Sequence, residues 1–152
     1  MESSNYRILV VDDEDDIRLI VGLNLKLLGL EFSEATNGEE AIEMLRMERW
    51  DACILDLAMP KVDGFSVLNY LAEQKRLQDL AVVVLSAKGS PATAIQALQL
   101  GAHSHLTKPF SPASVAQTIL ELVEITPEQR EARRKELLSR AGTLERLGMP
   151  TV

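Results

Sequence analysis

The 152 residues include a single cysteine, Cys53. That excludes an intramolecular disulfide framework and suits a reducing compartment. Basic charge is also scarce: 16 Lys and Arg face 23 Asp and Glu, for a formal net charge of −7. Affinity for phosphate backbones comes from Lys and Arg, so nucleic acid is not expected as a direct partner. No apolar run is long enough to cross a bilayer. The opening residues Met1-Glu2-Ser3-Ser4-Asn5 lack the basic and apolar regions of an export signal. These absences point to a cytoplasmic protein with no membrane insertion. Internal repeats and low-complexity tracts are missing too. What remains, 46% hydrophobic and 26% charged, is an ordinary globular composition, and the length is that of one domain with a full core.

The pattern of that composition alternates strand and helix five times, which predicts a parallel sheet covered on both faces. The first strand is placed near Arg7–Val11. A helix follows over Asp15–Leu28, with Ile17, Ile20, Val21, Leu25 and Leu28 on one stripe and Gly29 as its stop. A weak, alternating strand near Glu31–Ala35 reads as an edge, and a helix over Glu39–Glu48 follows the Asn37-Gly38 turn. Ala52–Leu55 and Ala81–Leu85 are wholly apolar, as strands buried on both faces are. Between them, Phe65, Val67, Leu68 and Leu71 mark a helix. Ser90-Pro91 and Ser111-Pro112 each open a further helix as N-cap and first turn.

Charged and polar groups collect where the apolar strands end. Asp12 and Asp13 follow Ile8-Leu9-Val10-Val11, Asp56 follows Cys53-Ile54-Leu55, Ser86 closes Val82-Val83-Val84-Leu85, and Lys108 closes Ser104-His105-Leu106-Thr107. Strand ends in an open parallel sheet form the crevice where ligands bind. Three carboxylates gathered there repel one another, by about 4 kcal/mol per pair at ~4 Å and the effective dielectric of a protein surface. A fold retains such a cluster when something positive sits in it. An acidic trio, a hydroxyl and a lysine at one sheet edge read as a site for a divalent cation and a phosphoryl group.

These residues, in this order, resemble the receiver domain of two-component response regulators. The resemblance covers about Tyr6 to Ile125. It rests on Leu9-Val10-Val11-Asp12-Asp13-Glu14, Leu55-Asp56-Leu57-Ala58-Met59-Pro60, Asp63-Gly64, Leu85-Ser86-Ala87-Lys88-Gly89, and Gly101-Ala102 through Leu106-Thr107-Lys108-Pro109-Phe110. Each motif alone is weak, and together they are specific. The resemblance implies a doubly wound α/β fold of flavodoxin-like strand order 2-1-3-4-5. It implies Asp56 as phosphoacceptor, supplied by a sensor histidine kinase or phosphotransfer protein. Mg²⁺ would be held by Asp13, Asp56 and the carbonyl of Ala58, with Asp12 acting mainly through a water. Lys108 and Ser86 would contact the phosphoryl oxygens, Ala58 and Lys88 would tune phosphate loss, and the Lys108–Pro109 bond would be cis. Such a protein is no enzyme beyond catalysing its own phosphotransfer and slow autodephosphorylation. One position departs from the family: three residues before the lysine, where Tyr or Phe is usual, stands His105, so its switching role rests on an imidazole.

Blander readings accompany each residue. Asp15 and Asp16 are ordinary first-turn carboxylates favoured by the helix dipole. Cys53 is a small buried hydrophobe, His103 a loop side chain, Trp50 a packer at a strand entrance, and Met44, Met47 and Met59 are gap-fillers. The family reading divides the chain into a receiver over 1–125 and a helical extension over 126–152 with no output domain. Residues 1–126 carry 10 basic and 19 acidic groups, and 127–152 carry 6 and 4. Thr126-Pro127-Glu128-Gln129 has the form of a capping box, so a new helix starts there. Arg130, Arg133, Arg134 and Lys135 read as its solvated face, and Leu137, Ala141 and Leu144 as a short apolar stripe. The extension closes over the output face, extends a homodimer, or frays. Signalling would run through protein–protein contact with a downstream target. The rivals are a phosphorylation-independent receiver-like adaptor and an aspartyl phosphatase. The phosphatase needs a second acid two residues after its nucleophile, where this chain has Ala58.

Overall fold

The computed structural model describes residues 6–59, 64–87 and 91–148. Its strands are β1 (Arg7–Val11), β2 (Glu31–Ala35), β3 (Ala52–Asp56), β4 (Ala81–Ser86) and β5 (Ser104–Thr107). They pair in parallel in the order β2-β1-β3-β4-β5. The helices are α1 (Asp15–Leu27), α2 (Gly38–Met47), α3 (Gly64–Glu73), α4 (Pro91–Leu100), α5 (Pro112–Glu124) and α6 (Pro127–Arg146). This is the parallel sheet covered on both faces that the alternation predicts, in the doubly wound, flavodoxin-like order that the resemblance implies, with an extra C-terminal helix.

Alternation along the strands sorts the core into two layers. Leu9, Val11, Cys53, Leu55, Val82 and Val84 face α2, α3 and α4, whereas Ile8, Val10, Ile54, Val83 and Leu85 face α1 and α5. Residues of β1, β3 and β4 are 0–1% exposed apart from Arg7 at the entrance and Ser86 at the exit. That explains their unbroken apolar runs. The edge strands β2 and β5 are half-covered, and their sequences mix polar with apolar accordingly.

The stripe on α1 differs from the expected one. Ile20 and Leu28 are 45% and 36% exposed, and the buried face is Arg18, Val21, Gly22 and Leu25. Arg18 holds its inward place by hydrogen bonding: it donates to Glu34 at 3.0 Å, to the Asp12 carbonyl at 2.7 Å, and to Asp15. A guanidinium so satisfied can sit at 6% exposure. Gly22 faces the Phe32 ring so closely that a Cβ there would overlap it.

Trp50 packs at the strand entrance as expected, donating Nε1 to the Met44 carbonyl at 3.0 Å with Arg7 stacked over its ring at 4.4 Å. Of the methionines, Met59 is buried and Met44 half-buried, but Met47 is 68% exposed on the last turn of α2. Asn37 caps α2 by accepting from the Glu40 amide at 2.8 Å, and Ser111 caps α5 through Ser114. The expected cap Ser90 lies outside the described residues.

The extension is a separate helix begun by the anticipated capping box: the Gln129 amide donates to Thr126 Oγ1 at 3.1 Å, and the Thr126 amide to Gln129 Oε1 at 2.9 Å. Its arginines correct the sequence reading. Arg130 is 5% exposed and donates to the Leu122, Ile125 and Gln78 carbonyls. Arg134 donates to the Leu98 carbonyl at the end of α4 at 2.7 Å. Arg133 and Lys135 are exposed, as a solvated face should be. The physical reason is local: the last carbonyls of α5 and α4 lie beyond the regular intrahelical ladder, Leu98 accepting from the Gly101 amide at 3.1 Å, and they stay open to long cationic side chains from the first turns of α6. His103, expected only as a loop side chain, is 4% exposed, its Nδ1 accepting from the Val82 amide at 3.0 Å.

Candidate functional site

The parallel register explains why distant residues meet. Val11 is level with Leu55, Asp56 with Leu85, and Ser86 with Thr107. Pairing runs slightly past the strands: the Asp12 amide donates to the Ala35 carbonyl at 3.2 Å, Leu57 to Leu85 at 3.0 Å, and Lys108 to Ser86 at 2.8 Å. The side chains following β1, β3 and β5 are therefore held at one carboxyl edge by backbone bonds.

Asp12 and Asp56 are buried, at 0% and 1% exposure, whereas Asp13 is exposed. One carboxylate oxygen from each of the three lies within 4.8 Å of the others. Asp56 Oδ1 accepts from the Ala58 amide at 3.0 Å, and Oδ2 from Lys108 Nζ at 3.3 Å. Asp12 Oδ1 accepts from the Glu14 amide at 2.9 Å. Its Oδ2 stands 3.8 Å from Lys108 Nζ and has no hydrogen-bond partner among the described residues. Burial pushes the Asp12 carboxyl up to about 6, and the Asp56 and Asp13 charges add to that rise against the Glu14 amide and Lys108. Burial works to lower the Lys108 pKa, but Asp56 and Asp12 outweigh it and hold the ammonium above its ordinary value. One lysine thus serves two buried carboxylates, and a third stands beside them. The cluster carries more negative charge than its own cation balances. Hard carboxylate oxygens, one of them buried and unbonded, are the donor set of a small divalent cation that keeps waters in its shell.

Ser86 is 2% exposed, closing β4 beside β5. Ala58 is exposed and bonded through its amide to Asp56. The Lys108–Pro109 bond is cis. His105 sits mid-strand in β5, level with Val84, with its Nδ1 buried and without a hydrogen-bond partner among the described residues. Burial lowers its pKa. Lys88, expected to tune phosphate loss, lies outside the described residues, as do Pro60 to Asp63 of the loop motif. Cys53 is buried mid-strand, and burial pushes its thiol up to about 12, which leaves it inert.

One supporting residue escaped the site reading. A Cβ on Gly64 would overlap the Asp56 carbonyl oxygen and come within 2.7 Å of Leu57 Cα and 2.9 Å of Asp56 C. The first turn of α3 therefore lies directly on the backbone that carries Asp56. The Asp63-Gly64 motif was the signal for it.

Comparison with known proteins agrees with this geometry. The family model of the response regulator receiver domain matches residues 8–120. This chain belongs to the receiver-domain family of response regulators. The receiver is 38% identical over 126 residues to the probable transcriptional regulator ycf27 of Cyanophora paradoxa, covering 83% of this chain and 52% of that one. It is 36% identical over 136 residues to the alkaline phosphatase synthesis transcriptional regulatory protein PhoP of Bacillus subtilis, covering 88% and 56%. The chain thus spans about half the length of these curated relatives. Among solved structures, the receiver domain of the Francisella response regulator 1452 superposes with a TM-score of 0.73 at 30% identity, covering 79% of this chain and 98% of that chain. The Vibrio cholerae chemotaxis response regulator CheY4 gives 0.69 at 30% identity, with 79% and 99% covered. No helix among the described residues is long and apolar enough to cross a membrane.

Proposed function

We propose that this receiver is switched by phosphorylation of Asp56, with a phosphohistidine of a sensor kinase or phosphotransfer protein as donor. The observation that carries the reading is the pocket's charge arrangement: Lys108 Nζ sits 3.3 Å from Asp56 Oδ2 beside a buried Asp12 oxygen with no hydrogen bond among the described residues. A carboxylate is a competent nucleophile, and phosphoryl transfer depends mainly on positioning and charge neutralisation. One Asp56 oxygen forms a bond to phosphorus as the phosphorus–nitrogen bond breaks. Its electron pair goes to the donor imidazole, which takes a proton from solvent. Asp13, Asp56 and the Ala58 carbonyl would hold Mg²⁺, with Asp12 at one remove, and bound Mg²⁺ would neutralise charge on the transferring group.

Lys108 then pairs with one phosphoryl oxygen and Ser86 donates its hydroxyl to another, with His105 as the responding side chain. Small Ala58 leaves water a route to the acyl phosphate, so hydrolysis ends the signal. The chemistry stops at the protein's own phosphotransfer and dephosphorylation. A depression of about 390 Å³ beside Lys108, lined by Ile17, Ile20, Pro109, Phe110 and Pro112, gives the donor protein an apolar seat next to the acceptor. It also gives the exposure of Ile20 a use. Output by contact with a downstream protein in the cytoplasm suits the acidic body better than direct nucleic-acid binding. The curated relatives are named as transcriptional regulators, and what a receiver governs in those longer proteins does not transfer with the match.

A phosphorylation-independent adaptor has one observation on its side: the small, polar imidazole of His105 where Tyr or Phe is usual. Fluoroberyllate, a phosphoryl mimic, separates the two. With Mg²⁺ at about 100 times its dissociation constant it should stabilise the receiver by about 2.7 kcal/mol, a rise in Tm of roughly 5–10 °C, abolished by EDTA. No shift with all components present would favour the adaptor.

A further inference from the structure

The face made by α4 and β5 is covered by the chain's own C-terminal helix. Arg130, bonded to three carbonyls, and Arg134, bonded to the Leu98 carbonyl, pin the first turns of α6. Beyond them, Leu137, Ala141 and Leu144 face Ala94, Ile95 and Leu98 of α4 and His105 of β5. The two halves of the helix are held differently. The proximal half has buried, charge-assisted bonds, which are the strong kind. The distal half has one nearly buried residue, Ala141 at 9% exposure, with Leu137 and Leu144 half-buried. It also has Gly142, which weakens a helix interior, and a gap of about 210 Å³ left between it, α4 and His105. A gap of that size keeps the two helices from close-packed contact along its lining. Few buried apolar contacts place this segment at the low end of local stability.

The seat is mechanically close to the acidic pocket. β5 is an edge strand of four residues, Ser104–Thr107, paired among the described residues with β4 alone. His105 lies on the gap under α6. Three residues on, Lys108 bonds Asp56 and its amide bonds the Ser86 carbonyl. A new anionic group on Asp56 competes for the same ammonium, and a shift of this short strand would reach the seat through His105, the β5 residue that lines the gap.

We propose that the distal half of α6, residues 137–146, is a built-in cover of the α4–β5 face, and that phosphorylation of Asp56 releases it. The uncovered groove would take a partner's amphipathic helix with the apolar spacing i, i+4, i+7 that Leu137, Ala141 and Leu144 show. The proposal rests on Asp56 being the phosphoacceptor. Coupling of this kind is reciprocal: whatever factor phosphorylation contributes to release, release returns to the phosphorylated state.

Amide hydrogen exchange on the full chain tests it, with Mg²⁺ and with or without fluoroberyllate. Exchange across 138–146 should quicken by a factor of about 10, while α5 and the first two turns of α6 stay unchanged. Ala141→Glu, which places a charge in the seat far from the pocket, should show fast exchange without fluoroberyllate and bind it tighter by the same factor. Unchanged or slower exchange in a protein whose Tm responds to fluoroberyllate overturns the release while leaving Asp56 as acceptor. So does a variant with a loosened helix and unaltered affinity. If fluoroberyllate fails to bind wild type at all, both readings fall together. Should the variant not fold, the wild-type comparison alone decides.

Discussion

Gly64→Ala is expected to destabilise the receiver by about 3 kcal/mol, at the upper end for inserting a methyl group into a packed site. That is a fall in Tm of roughly 10 °C. The added Cβ overlaps the Asp56 carbonyl oxygen and crowds Leu57 Cα and Asp56 C, all backbone atoms. A flexible side chain could step aside, but here the strand end or the helix must move. Because the displaced backbone carries the acceptor, the variant should also take up phosphoryl groups at least about tenfold more slowly, as a loss of about 1.4 kcal/mol in the transition state implies. Gly29→Ala is the control. Gly29 has φ of +80°, and a Cβ added there would meet nothing within 4 Å, so only the left-handed backbone is penalised, by about 1 kcal/mol. Chemical denaturation of the two variants separates overlap from backbone preference. Equal, small losses would mean that α3 does not lie on the acceptor's backbone.

The second large effect is an acid sensitivity from His103. Burial lowers its pKa from 6.5 to about 4, helped by the nearby Arg130 and Arg134 charges and opposed by Glu131. A histidine whose folded pKa is lowered binds fewer protons folded than unfolded across that interval. Its contribution is intact above pH 6.5 and is lost as the pH falls toward 4. The full swing is about 3 kcal/mol. Protonation also removes the acceptor for the Val82 amide. Asp12 acts in the opposite sense, because its carboxyl is raised from 3.8 to about 6: the folded state holds the extra proton there, so acid stabilises through this group. The difference between wild type and His103→Asn isolates the imidazole, since asparagine can still accept from Val82 and does not titrate. Stability of wild type should fall relative to the variant between pH 6.5 and 4. Parallel curves would show that the imidazole is hydrated and structurally idle.

The sheet was readable because β1, β3 and β4 are buried on both faces, and only an apolar run satisfies that. The site was readable because Asp12, Asp56 and Ser86 follow such runs directly, and Lys108 closes the mixed edge strand β5 at the same sheet edge. Periodicity misled on α1, where Arg18 displaced Ile20 from the buried face. Whether an arginine turns inward depends on acceptors, here Glu34 and the Asp12 carbonyl, that are remote in sequence or made by the fold. The same reason hid Arg130 and Arg134, whose acceptors are helix-end carbonyls of α5 and α4. It also hid His103, whose donor is the Val82 amide in the neighbouring strand. The resting place of α6 was legible only as one of three options. Its stripe of Leu137, Ala141 and Leu144 says that a face is apolar but not what that face meets.

The proposed switch requires Asp56 to accept a phosphoryl group in a pocket completed by a divalent cation. Intact mass after incubation with acetyl phosphate tests it most directly, on wild type and Asp56→Asn, with Mg²⁺ or with EDTA. Wild type should gain one phosphoryl mass with Mg²⁺, with no gain in EDTA or in the variant. An adduct of equal yield in Asp56→Asn, or none in wild type that has been shown to be folded, would contradict it.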